Sequence, residues 1–240
     1  MKRSAIIIFL ILFLDQALKI WIKSNMFLGQ EYHILGDWFI IHFTENNGMA
    51  FGLEMEGELG KLMLSLFRIV AISVIGWYLI SMIKQGLDKG FVICVSMIFA
   101  GALGNIVDSA FYGVVFGESA YLQVAEMFPE GGGYGKFLYG RVVDMLYFPV
   151  IDTYIPQWFP AAPEAVPAWC PDILFYIFPW AGDHFIFFRP VFNIADSAIT
   201  IGITIIIIFQ KRFFASFETE EKEEEAKEPE APEGDGEVVE

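Results

Sequence analysis

Asp15 and Lys19 stand four residues apart, Asn105 and Asp108 three apart, and Asn193 and Asp196 three apart, each pair set in an otherwise apolar run. At those spacings the members of a pair share one face of a helix. A fourth carboxylate, Asp144, follows Gly140-Arg141-Val142-Val143 and has apolar neighbours on both sides. An ionisable group costs at least about 2.5 kcal/mol near the centre of a membrane span, so such groups pair with one another or mark function. The chemistry open to carboxylates alone is narrow. Two aspartates in a shared, partly dehydrated pocket do not both ionise: one keeps a proton and the other accepts one. The ionised member can act as general base on a water while the protonated member donates to a carbonyl oxygen. No metal and no cofactor is required. His33, His42 and His184 lack metal-ligand spacing and read as surface residues, and no Ser/His or Cys/His arrangement offers a nucleophile.

The elements that must position these groups are four apolar stretches, about 4–22, 59–83, 91–116 and 190–210. Each is long enough for a helix crossing a hydrocarbon core of about 30 Å, and too long for a barrel strand. No small-x-small cleavage site follows the first stretch, and Asp15, Gln16 and Lys19 interrupt it, so it is expected to be a retained span and not a signal peptide. Lys2 and Arg3, Lys84 and Lys89, and Lys211 and Arg212 all fall on one side of a four-span arrangement, which makes both termini cytoplasmic. The outward segments are then about 23–58 and 117–189. The first, with runs such as Trp38-Phe-Ile-Ile-His-Phe, reads as a small strand-rich appendage. The second is long, irregular and rich in glycine, proline and aromatics. In this topology the polar pairs of the first and third spans come late and that of the fourth comes early. All three lie just beneath the outer surface, where Glu45–Gly52 and Gly140–Met145 can fold onto them. A proton-coupled transporter or channel subunit, the competing reading, needs polar groups through the whole depth of the membrane.

Composition agrees with a membrane protein. Of 240 residues, 55% are hydrophobic, against roughly 45–50% in soluble domains, and the mean hydropathy is +0.51. The formal net charge is −15. Residues 216–240 hold twelve acids and two lysines, a net of −10, which leaves −5 for the rest. A disordered acidic cytoplasmic tail at 216–240 and a four-helix domain over 1–215 are therefore expected. The lack of a basic face excludes a nucleic-acid partner, the hydropathy argues against a soluble enzyme, and two cysteines exclude a disulfide scaffold.

Asp15-Gln16-x-x-Lys19, Asn46-x-Gly48-x-Ala50-Phe51, Gly104-Asn105-x-x-Asp108, Val143-Asp144 and Phe192-Asn193-x-Ala195-Asp196-Ser197 occur in that order. Together with four spans they resemble the lipoprotein signal peptidase, or signal peptidase II, family over roughly residues 5–210. The resemblance implies an all-α polytopic protein of the bacterial inner membrane, with four transmembrane helices and a small strand-rich periplasmic appendage. It implies an aspartic endopeptidase, acting as a monomer without cofactor, that cuts diacylglyceryl-modified prolipoproteins immediately before the lipid-bearing cysteine. By motif match Asp144 and Asp196 are the catalytic pair. Asp15, Lys19, Asn46, Gly48, Asn105, Asp108, Asn193 and Ala195 fall at supporting or substrate-contacting positions. The sequence departs from the family where Ser109 stands in place of an arginine and Met145 in place of an aromatic. Arg68 or Arg141 could supply Asp108 with the missing counter-charge, and Arg141 is included among the supporting residues. Asp108, Asp144 and Asp196 are also separated by longer links than the compact family form, so the outward face carries insertions.

Overall fold

The computed structural model describes residues 1–47, 57–161, 180–213 and 215. Gly48, Ala50 and Phe51 of the second motif, residues 162–179 and the acidic segment 216–240 lie outside the described residues. Among the described residues, three helices are long and apolar enough to cross a membrane. They are α1 (Lys2–Asn25), α2 (Gly57–Gln85) and α3 (Lys89–Val107), which runs on through a π-helical turn, Asp108–Tyr112, to Val115. A shorter apolar helix, α4 (Ile194–Ile208), completes the bundle. These helices fit a polytopic membrane protein. α3 is central and packs against α1, α2 and α4.

The polarity of the bundle is inverted relative to a soluble one. On α1 Phe9, Phe13 and Trp21 are exposed while Asp15, Lys19 and Lys23 are buried. On α2 Phe67, Val70 and Trp77 are exposed. Lipid is as apolar as a leucine side chain, so helices associate through close packing and internal polar contacts. The packing is visible at Gly101, where a Cβ would collide with the Ala195 carbonyl oxygen on α4.

The fourth helix starts later than its apolar run suggests. Val191–Phe192 are strand residues, and Asn193 begins the helix with a capping box in which its side chain and that of Asp196 each accept from the other's backbone N–H. Six strands are described: β1 (Glu31–Leu35), β2 (Phe39–Asn46), β3 (Val142–Tyr147), β4 (Ile151–Tyr154), β5 (His184–Phe187) and β6 (Val191–Phe192). The segments after α1 and after α3 both feed one antiparallel sheet of order β1-β2-β3-β6, and β4 and β5 form a separate pair. The expected strands of the first outward segment are therefore present, and the second is less irregular than its composition suggests. β3 hides from a period-two reading because Val142, Val143, Asp144 and Met145 are all buried. Met145 sits with Ile22, Met26, Phe43, Tyr112, Phe116 and Val143 in the core that joins the sheet to the ends of α1 and α3.

Candidate active site

Asp196 occupies the third position of α4, and Asp144 lies mid-strand in β3, paired across the ladder with Thr44. Asn193 connects them. Its side-chain amide donates to Asp144 Oδ1 at 2.7 Å, its backbone N–H donates to Asp196 Oδ2 at 3.2 Å, and its Oδ1 accepts from the Asp196 N–H at 2.9 Å. Asn105 Nδ2 donates to Asp196 Oδ1 at 2.8 Å. Asn46, at the end of β2, hydrogen-bonds the Asp144 carboxylate. Asp144 is buried, whereas Asp196 is partly exposed. Burial, and secondly the charge of Asp196, push the Asp144 carboxyl up to about 7, against the opposing pull of the Asn193 and Asn46 hydrogen bonds.

Beneath the pair lies a buried ionic cluster. Lys19 Nζ is fully buried and touches Asp15 Oδ2 at 2.9 Å, Asp108 Oδ2 at 2.8 Å and Asn105 Oδ1 at 2.9 Å. Each carboxylate of the cluster also holds a piece of the site. Asp15 Oδ1 accepts from the Ala195 N–H at 2.9 Å, one of the unpaired donors at the start of α4. Asp108 Oδ2 accepts from the Val143 N–H at 3.2 Å, one residue before Asp144. Lys19 thus ties together the two carboxylates that fix α4 and β3. Ala195 must be small, because its Cβ lies against Gly104 and its carbonyl against Gly101. Gln16 donates to Asp108 Oδ1 at 2.8 Å and accepts from the Tyr112 hydroxyl at 3.1 Å. Gln16 belongs to the first motif but was not singled out; its signal was a polar residue breaking an apolar run.

The structure brings together Asp15, Lys19, Asn46, Asn105, Asp108, Asp144, Asn193, Ala195 and Asp196. Gly48 lies outside the described residues. Arg141 is elsewhere: its guanidinium reaches Glu45 at 3.1 Å and Glu118 at 2.6 Å and lies over the Tyr134 ring. It does not serve Asp108, whose counter-charge is Lys19. Arg68 does not pair with Asp108 either. It reaches Ser109 Oγ at 3.4 Å and lies close enough to feel the charges of Asp196 and Asp144.

A second buried cluster escaped the sequence. Lys23, one turn beyond Lys19, is fully buried, pairs with Glu45, and donates to Ser119 Oγ at 2.8 Å. Burial alone would raise the Glu45 carboxyl, but the charge of Lys23 and donors from Lys23, Ser119 and Arg141 hold it below its ordinary range. Glu45 adjoins Asn46, so this cluster anchors the end of β2 that reaches Asp144.

The family model described as signal peptidase (SPase) II matches residues 7–212. A lipoprotein signal peptidase of Porphyromonas gingivalis is 45% identical over 212 residues, covering 88% of this chain and 84% of that protein. One of Amoebophilus asiaticus is 32% identical over 198 residues, covering 81% of this chain and 72% of that protein. The fold resembles a solved bacterial membrane enzyme, with a TM-score of 0.52 at 21% identity over 88% of this chain and 89% of the other.

Proposed function

The chain belongs to the signal peptidase II family, a family of membrane proteases, and from that membership we propose that it removes signal peptides from diacylglyceryl-modified prolipoproteins by an aspartate-pair mechanism. The observation that carries the mechanism is Asn193, which hydrogen-bonds both Asp144 and Asp196 and so supports two carboxylates acting on one substrate atom. Asp144, the carboxyl raised to about 7, takes the role of acid. Asp196, partly exposed and held by Asn105 and the Asn193 backbone, takes the role of base.

In the reaction, Asp196 accepts a proton from a water whose oxygen adds to the scissile carbonyl carbon, while Asp144 donates its proton to the carbonyl oxygen. Collapse of the tetrahedral diol returns one hydroxyl proton to Asp144, while Asp196 passes the proton it took from water to the departing amine, the nitrogen of the lipid-bearing cysteine. The bond broken is C–N and the bond formed is C–O, with one water consumed.

The bundle spans the bacterial inner membrane four times, α4 included, as a monomer. Both termini are cytoplasmic and the sheet is periplasmic. This reading is favoured over a proton path because, toward the opposite end of α3, the buried positions are Val92, Cys94, Val95, Ser96 and Ala100, none of them charged. The two acyl chains of the substrate enter between the helices, where burial contributes about 0.8 kcal/mol per CH₂. A precursor without diacylglycerol is therefore expected to be cleaved at least about 10²-fold more slowly than its lipidated form by purified enzyme. Equal cleavage of the two forms would contradict the reading.

A further inference from the structure

At the end of the bundle opposite the carboxylates, the start of α1 meets the α2–α3 turn around a cavity of about 390 Å³. Its lining combines two chemistries. Lys2, Arg3 and Lys89 are exposed cations, and the accessible apolar lining is Met1, Ile83 and Ile93. None of the three cations is paired with a carboxylate of the described residues, in contrast to Lys19, Lys23 and Arg141 at the other end. The nearest acid in sequence, Asp88, is engaged: it caps α3 by accepting from the Gly90 and Phe91 N–H groups and faces Arg212 at 3.4 Å.

We propose that this cavity binds one anionic phospholipid, its phosphate among Lys2, Arg3 and Lys89 and an acyl chain along Met1, Ile83 and Ile93. The cations stand where helices end and apolar walls begin, the level at which a lipid presents its phosphate above its chains. The acidic segment 216–240 is the other candidate occupant. It carries a net −10 and follows closely in sequence on Phe213, whose ring packs on Phe91 at 5.4 Å. A Glu/Lys/Pro-rich chain matches the cations but offers little to the apolar wall, whereas a phospholipid matches both.

Native mass spectrometry of the full chain, titrated with dioleoylphosphatidylglycerol, dioleoylphosphatidylcholine and glycerol 1-phosphate, tests this. One phosphatidylglycerol is expected to stay bound, at least about tenfold more tightly than either other probe. Replacing Lys2, Arg3 and Lys89 by Gln should weaken it by roughly fivefold per cation, with the melting temperature in lipid-free detergent unchanged. Equal binding of the two lipids, or undiminished binding to the triple variant, would overturn the proposal. So would glycerol 1-phosphate binding as tightly as the lipid, which would make the site one for free phosphate esters. Carbodiimide cross-links joining Lys2 or Lys89 to glutamates of 216–240 in the presence of phosphatidylglycerol would make the acidic segment the occupant, and would equally overturn it.

Discussion

Burying a carboxyl disfavours its charged form, and Asp144 is only 3% exposed with a second aspartate as electrostatic neighbour. A carboxyl raised to about 7 is a proton donor at neutral pH and stops being one above it. Cleavage of a diacylated precursor is therefore expected to fall as pH rises through about 7. The same shift acts on stability. Because the folded state holds this proton more tightly than the unfolded chain, the stability it contributes is full below about pH 4 and is lost as pH rises toward 7. Asp144→Asn lacks this dependence, so its melting temperature relative to the parent should climb between pH 4 and pH 8; a constant difference would contradict the shift. The aspartates were legible because a carboxylate among Val, Leu and Met is conspicuous. Arg141 is not the counter-charge of Asp108, because Lys19 holds that place. Three positions along extended chain place side chains on opposite faces, and Arg141 points to Glu45 and Glu118. Lys23 stayed hidden because its partners, Glu45 and Ser119, come from distant parts of the chain.

The elements place the two aspartates through the end of α3. Its π-helical turn and last residues leave carbonyls that segment 128–140 satisfies: Leu138 N–H donates to Ala110, Gly140 N–H to Ser109 and Gly135 N–H to Gly113. Gly140 lies so close that a Cβ would collide with the Asp108 carbonyl oxygen, a contact with backbone that no rotamer change relieves. Gly140→Ala should push β3 away from α3 and displace Asp144. A displacement of about 1 Å suffices for roughly a 10²-fold loss of rate. The measurement is cleavage by the purified variant at a temperature where its melt shows it folded; unimpaired cleavage would mean that this approach does not set the position of Asp144. The three long helices were readable from apolar length alone. The start of α4 was not, because Val191 and Phe192 are equally apolar in a strand, and only their pairing with Tyr147 and Leu146 makes them one. β3 was unreadable for a related reason: a strand buried on both faces shows no alternation.

Among the described residues, charge lies inside and apolar surface outside at the level of the helices, and the buried ionic clusters of Lys19 and Lys23 lie at the end that bears the sheet. The net −15 says little about this, since residues 216–240 carry −10 of it and lie beyond the matched family region, 7–212. Deleting 216–240 is expected to leave cleavage within about twofold of the full chain in a purified assay, and a large loss would assign the segment a part in the reaction. What composition established was the membrane. The proposed mechanism rests on where four aspartates stand: Asp15 and Asp108 accept from the backbone of α4 and β3, and Asp144 and Asp196 both hydrogen-bond Asn193. The most direct test is the rate at which purified Asp144→Asn and Asp196→Asn variants cleave a diacylated precursor. Each should lose at least about 10³-fold in rate while melting within a few degrees of the parent at neutral pH, whereas substantial cleavage by either variant would contradict the aspartate pair.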